Sequence, residues 1–488
     1  MSQAPSKPAP PQSPSNLDLN NIQGDILSGL PKKTETYLFF QISDAKKFRT
    51  DLRNFIPLVK TVAGTLKDRD DISKHKQGTV GGKPPLIPMA GVNIAFSHFG
   101  LKALNINDAN LVDTAFLGGQ KLDAGANLGD KGTGSGPSFV PDWEEPFKKD
   151  IHGVFLVAGD SHDTVNKKIG EIKQIFGVGG HTPSLTEVTT IVGDARPGDQ
   201  SAHEHFGYLD GVSNPQIIGF DKNPPPGPAP VRAGAIILGK DGDANKDKRE
   251  PWMVEGSFLV FRYLFQKVPE FDDFVFRNRL KGPGMTDQQG ADLLGARLVG
   301  RWKSGAPIDL TPFKDDPELG RDPQRNNNFH FTAEQNFQKL CPFASHIRKT
   351  LPRADLESLG ISIEKNRIMR RGVQFGPEVT KAERAAKKTS QGRGLLFACY
   401  QSSITDGFQF IQRSWVNNAT FPFAETTPEV PGLDPLISAS TLTDRKLSGI
   451  DPNNPSTELK LEDQWVVPRG GEYFFTPSIK GLKEKIAA

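Results

Sequence analysis

Two stretches of this 488-residue chain carry residue types that could do chemistry, an acid between two glycines and a histidine followed by cations. Asp210 stands in Glu204-His205-Phe206-Gly207-Tyr208-Leu209-Asp210-Gly211. The flanking glycines permit backbone turns that other residues resist, so the carboxylate can be presented into a cavity with little steric cover. The same spacing suits an acid that caps a helix or closes an Asx-turn, and the octapeptide alone leaves both readings open. His346 lies in Cys341-Pro342-Phe343-Ala344-Ser345-His346-Ile347-Arg348-Lys349-Thr350, with an apolar approach before the imidazole and two cations after it. A haem needs such a combination: a neutral nitrogen for iron, apolar walls for the macrocycle and cations for its propionates. A helix-borne His-x-Arg is equally an ordinary surface pattern. His203 and His205 flank the Asp210 turn as hydrogen-bond partners, and the remaining histidines sit in unremarkable contexts.

Both candidates need elements to position them. Residues 37–42 read as a strand, and Ser43 then caps a helix carrying Phe48, Leu52, Phe55 and Ile56 at helical spacing until Pro57. Residues 94–96 suggest a second strand and the apolar run 151–158 a third. A helix follows with Val165, Ile169, Ile172 and Phe176 on one face and Gly177 as its stop, and residues 185–192 close the set. That order, βαββαβ, is the ferredoxin-like pattern, with both helices on one side of a sheet. After a Pro/Gly-rich stretch at 223–228 a looser version begins. Its strands are expected at 257–264, 367–375, 395–400 and 472–475, and its helices at 271–280, 288–298 and 408–417. The expected fold is therefore α+β, two duplicated ferredoxin-like units with facing sheets and a pocket between or beside them. The expected division is a disordered Pro-rich tail at 1–20, an N-terminal half at 21–230 carrying Gly-x-x-Asp-Gly, and a C-terminal half at 231–488. The Gly-rich insertion 125–137 is expected to lie outside as a loop.

Composition narrows the function classes. Sixty Lys and Arg against 57 Asp and Glu leave +3, with no long basic tract, so no nucleic-acid or membrane-surface footprint is present. No apolar run approaches the roughly 18 residues that a membrane-spanning helix needs. Residues 1–16 are rich in Pro, Ser and Gln and lack the apolar core of a secretory leader. Cys341 and Cys399 are too few for a disulfide framework and have no metal-ligand spacing. The 32 Phe against 5 Tyr and 5 Trp suit a protein that handles strong oxidants, because a phenylalanine ring cannot become a phenoxyl radical; drift in aromatic usage gives the same skew.

Four segments in order carry a resemblance. Gly207-Tyr208-Leu209-Asp210-Gly211, the His346 segment, Arg370-Arg371-Gly372-Val373-Gln374-Phe375-Gly376 and Val467-Pro468-Arg469-Gly470-Gly471-Glu472-Tyr473-Phe474 together resemble the dye-decolorising peroxidases, nearest the basidiomycete branch. The resemblance runs from Asn21-Ile22-Gln23-Gly24-Asp25-Ile26-Leu27 to near the C-terminus. It implies a dimeric α+β barrel type of fold with the haem pocket mainly in the C-terminal half, and one haem b (iron protoporphyrin IX) per chain. It also implies His346 as proximal iron ligand, Asp210 and Arg370 facing the peroxide, and Leu395 and Phe397 as distal apolar residues. Arg348 would meet a propionate, and Asp434 would accept the other imidazole N–H. The activity implied is oxidation of dyes, anthraquinone-type included, phenols and related aromatics by hydrogen peroxide, in one-electron steps through a Compound I-like intermediate. Asp210 would move the peroxide proton and Arg370 would stabilise developing negative charge. Phe375 stands where the family's segment can carry tyrosine, so Trp415 becomes the expected electron-transfer residue for bulky dyes, with a core anchor as its other reading. The expected partners are hydrogen peroxide and aromatic reductants in a monomer or weak homodimer, with no nucleic acid and no membrane. The resemblance suggests an extracellular protein, the missing leader a cytoplasmic one.

Overall fold

Strand-forming apolar runs and amphipathic helices alternate twice along the chain. The structure is a computed structural model describing residues 16–78, 84–334, 337–422 and 430–488. The first unit comprises β1 (Thr34–Ile42), α1 (Ala45–Phe55), α2 (Val62–Gln77), β2 (Ala90–Phe96), β3 (Gly153–Gly159), α3 (His162–Ile175) and β4 (Leu185–Asp194). Asp44, one residue past the expected Ser43, caps α1 by accepting from Lys47 N. Phe48, Leu52 and Phe55 of α1 and Val165, Ile169 and Ile172 of α3 pack against one face of the strands, with Phe40, Ile94 and Phe155. Helix α2 leaves no apolar signature, since only Val62 and Thr65 are buried.

The second unit comprises β5 (Ser257–Gln266), α4 (Val268–Arg277), α5 (Asp287–Val299), α6 (His346–Thr350), β6 (Met369–Arg370), β7 (Val373–Phe375), β8 (Gly394–Gln401) and β9 (Val466–Thr476). The strand expected over 367–375 is thus split at Arg371-Gly372. A Cβ on Gly372 would lie 2.6 Å from the Leu396 carbonyl, so the backbones meet too closely there for a side chain. The helix expected over 408–417 is a single turn, Phe408–Phe410, continued by the wider π-turn Ile411–Val416.

The strands form one sheet in the order β4-β1-β3-β2-β9-β5-β8-β6, with β7 also on β8. Each unit therefore contributes the same antiparallel arrangement of fourth, first, third and second strands, the ferredoxin-like order read from the sequence. The expected facing sheets are instead halves of one curled sheet. One seam is the pairing Phe475↔Phe96. At the other, β4 lies against β7, where a Cβ on Gly193 would come 2.5 Å from Val373 Cγ1 and 2.7 Å from the Gln374 carbonyl. Inside the curl, Tyr37, Phe39, Leu156, Phe261, Leu396 and Phe474 form a packed core. Alternation along β5 and β8 sends Arg262, Leu264, Leu395 and Phe397 to the outer face, where the cavity lies.

Part of the stretch expected as a tail is packed. Residues 1–15 lie outside the described residues, whereas Leu17 and Leu19 pack on the inner core and Asp18 N donates to Glu255 Oε1 at 2.9 Å. The Gly-rich insertion is not a free loop either: Ala124–Leu128 is a π-turn, Gly132–Thr133 pairs with Val140–Pro141, and Leu128 and Asp130 reach the cavity.

Gly193→Ala places a methyl into the seam between the units. It should lower the urea unfolding free energy by about 1–3 kcal/mol; an unchanged midpoint would mean that the seam adjusts without strain.

Candidate active site

Between the outer face of β5 and β8 and the helices α5 and α6 lies a cavity with about 290 Å3 of room for the centres of water molecules. Phe206, Val299, Leu395, Phe397, Phe408 and Leu436 give it apolar walls. Asp210 enters on the connector between β4 and β5. Its turn is shaped by Glu204, whose carboxylate accepts from Tyr208 N at 2.8 Å and Phe206 N at 2.9 Å. Gly207 (φ 93°) and Gly211 (φ 79°) take the left-handed conformations that the sequence suggested.

Asp210 Oδ1 accepts from Arg370 Nη1 at 2.6 Å and from Gly211 N at 2.6 Å. The two side chains are about one-third exposed. Burial pushes the Asp210 carboxyl up, but the Arg370 charge and hydrogen bond, the Gly211 N–H and the His346 imidazole outweigh it and hold the group below the ordinary carboxylate range. Asn214, four residues along the same loop, accepts from Arg370 N at 3.0 Å and donates to the Arg370 carbonyl at 3.2 Å. One loop therefore grips both the side chain and the backbone of Arg370. Arg371 belongs to the opposite face: its guanidinium donates to the carbonyls of Asp25, Ile26 and Leu27. Pairing of Arg370 with Cys399 puts Arg370 on the same sheet face as Leu395 and Phe397, and all three line the cavity.

His346 begins α6 and lines the cavity. Its Nδ1 is 2.9 Å from Asp434 Oδ2. The other oxygen of Asp434 accepts from Leu436 N at 2.8 Å and Ile437 N at 2.9 Å, and the carboxylate is fully buried. A carboxylate so engaged accepts the Nδ1 proton, so the lone pair lies on Nε2.

Arg348 does not meet the expectation placed on it. Its guanidinium lies between the rings of Phe331 and Phe343 and forms a two-pronged pair with Asp355 at 2.7 Å, while donating to the carbonyls of Cys341 and Glu334. It is buried and takes no part in the cavity wall. The cations that do line the cavity are Arg301, Arg353 and Arg367, besides Arg370 and the Asp130-bound Arg262. Burial pulls Arg301 down to about 9 and Arg367 to about 10, and burial with Arg301 and Arg367 nearby also holds Arg353 well below the ordinary guanidinium range. Such crowding of cations favours a ligand carrying carboxylates. An imidazole with its Nε2 lone pair free, apolar walls and this arginine cluster fit a haem.

Trp415 lies outside the cavity wall. It is 3% exposed, stacked on Phe421 at 5.4 Å and edge-on to Phe410 at 5.5 Å, so the accessible indole that direct contact with a dye requires is not there. His205 Nε2 donates to the Phe375 carbonyl at 2.8 Å, and burial pulls the imidazole down to about 4. Cys341 and Cys399 are buried free thiols. Sequence reasoning missed Glu204, Asn214, Asp130 and the three cavity arginines; Asp130 pairs with Arg262 across 132 residues, and no local pattern announces such a pair.

Residues 21–197 match the family model of the DyP dimeric alpha+beta barrel domain, and residues 203–421 match that of the Dyp-type peroxidase, C-terminal. The second match takes in the Asp210 turn, which the expected division at 230 gave to the first half. The chain is 43% identical to dye-decolorizing peroxidase msp1 of Mycetinis scorodonius, over 97% of this chain and 91% of that one. To the dye-decolorizing peroxidase AauDyP1 of Auricularia auricula-judae it is 42% identical over 97% and 88%. A solved variant of the dye-decolorizing peroxidase from Pleurotus ostreatus superposes with a TM-score of 0.93 at 55% identity, over 97% of this chain and all of that one. A dye-decolorizing peroxidase in complex with 2,6-dimethoxyphenol gives 0.84 at 44% identity, with the same coverage.

Arg348→Leu should leave the buried Asp355 carboxylate unpaired and lower stability by about 3–5 kcal/mol. Urea unfolding measures this, and a loss below about 1 kcal/mol would return Arg348 to the candidates for ligand contact.

Proposed function

The chain belongs to the dye-decolorising peroxidase family, and on that premise we propose that His346 holds one haem b per chain while Asp210 and Arg370 handle the peroxide. The observation that carries this reading is the Asp210–Arg370 pair on the same cavity as an imidazole tied to Asp434. When bound, the haem supplies an iron that takes oxidising equivalents from hydrogen peroxide and returns to rest in one-electron steps.

The remaining work falls to side chains. Hydrogen peroxide must lose a proton from one oxygen and gain one on the other, so a single mobile acid–base group near both atoms suffices. Asp210 Oδ1 is engaged by Arg370 and Gly211, which makes Oδ2 the atom that accepts and returns the proton. Arg370, permanently cationic, keeps Asp210 ionised in acid and stabilises negative charge on the departing oxygen. Asp434 fixes the His346 tautomer and raises the basicity of Nε2. Leu395 and Phe397 exclude water beside the pair. Phenols of the size of 2,6-dimethoxyphenol, and dyes, are the reductants. Trp415 relays electrons from dyes too large for the cavity, through the side chains that cover it.

Asp210→Asn should reduce kcat/KM for peroxide on the order of 10²–10⁴-fold with the haem still bound. His346→Ala should instead lose the Soret absorbance; peroxide kinetics unchanged in Asp210→Asn would place the proton carrier elsewhere. Trp415→Phe should slow oxidation of bulky dyes more than of small phenols, and equal effects on both would leave it a core residue.

A further inference from the structure

Beside the main cavity a second, polar hollow lies between residues 440–445 and 460–464. The two share a rim: Asp130 and Ala439 face the cavity, Lys131 and Ser440 face the hollow, and Gln464 belongs to both. Acids and cations line the hollow in equal number; Arg445 feels the charges of Asp463 and Asp434, but the ion pairs of the lining acids run to cations outside the hollow. Asp463 is held by Lys267 at 2.8 Å, Glu462 by Arg277 at 2.8 Å and Asp444 by Lys446 at 3.2 Å, all cations from outside the lining. Lys131 and Lys460, both exposed, have no carboxylate within ion-pair distance among the described residues. Arg445 is 8% exposed and donates Nη1 to the Asp463 carbonyl at 2.8 Å, while its Nε and the Ser440 hydroxyl have no hydrogen-bond partner among the described residues. With its acids paired to outside cations and Lys131 and Lys460 unpaired, the hollow has a positive potential.

We infer that this hollow is a subsite for the anionic end of an aromatic reductant, a sulfonate or carboxylate whose ring lies toward the shared rim and the cavity. The inference rests on the peroxidase reading, since the ring is what supplies electrons there. Lys131 and Lys460 meet the anion as point charges at the mouth, and Arg445 sits deeper in the wall. A neutral phenol of the same size gains nothing from these charges.

The test compares the wild-type holoenzyme with the Lys131→Gln/Lys460→Gln variant, whose substitutions lie on the surface and leave the proposed proton and haem contacts alone. Calorimetry without peroxide measures binding of 4-hydroxybenzenesulfonate, phenol and inorganic sulfate. The wild type should bind the arylsulfonate more tightly than phenol or sulfate, and the variant should weaken that binding roughly five- to tenfold. With peroxide added, KM for the arylsulfonate should rise by a similar factor while its kcat and the phenol kinetics stay the same. Equal arylsulfonate affinity in both proteins, an equal rise in KM for phenol, or sulfate binding as tightly as the arylsulfonate would each overturn the inference. Phenol turnover by the wild type reports separately on the peroxidase reading, so the two failures can be told apart.

Discussion

A carboxylate and a guanidinium 2.6 Å apart on one cavity wall set what each of them can do. Without Arg370, burial would push Asp210 toward its neutral form; without Asp210, Arg370 would join four other cavity arginines, only one of them paired to Asp130, with one anion fewer among them. The pair is assembled from distant pieces, a connector between the two units and a short strand at the sheet edge. Glu204 shapes the turn that delivers Asp210, and Asn214 fixes the strand that delivers Arg370. The curled sheet supplies the fixed frame for both, because its packed interior leaves the outer face of β5 and β8 to line the cavity.

The imidazole in the same cavity follows the same logic with a different pair. Asp434 has both oxygens occupied, two backbone N–H groups on one and His346 on the other, so neither ring tautomer nor ring direction is free to vary. Lys349, next but two to His346, donates to the Asn418 carbonyl at 2.8 Å and the Phe421 carbonyl, tying α6 to the segment that follows the turn carrying Trp415. Burial pulls its ammonium down to about 7. The imidazole is thus anchored through its own acceptor and through its helix.

Strands with long apolar runs, such as 151–158 and 257–264, were legible because both of their faces are covered. Helix α2 was not, since a helix that buries only Val62 and Thr65 has no periodic stripe to find. Asp210, His346, Leu395 and Phe397 line one cavity and Asp434 lies against His346, while Asp210 Oδ1 accepts from Gly211 N as well as from Arg370. Arg348 misled for a geometric reason: residues two apart on a helix point in nearly opposite directions, so a cavity-facing His346 turns Arg348 into the core. The same alternation on a strand separates Arg370 from Arg371. Arg301, Arg353 and Arg367 come from three separate segments, and only folding brings them onto one wall.

The central claim is that Arg370 sets the proton affinity of Asp210. The rate of the peroxide reaction, followed against pH in the wild type and in Arg370→Leu, tests it through the position of the acid limb rather than through the rate itself. Asp210 acts in its ionised form, so the reaction fails as pH falls through its pKa. Loss of the cation and its hydrogen bond, with burial retained, should move that limb to higher pH by about one unit or more. An acid limb that stays in place or moves lower in Arg370→Leu, with the haem intact, would contradict the account.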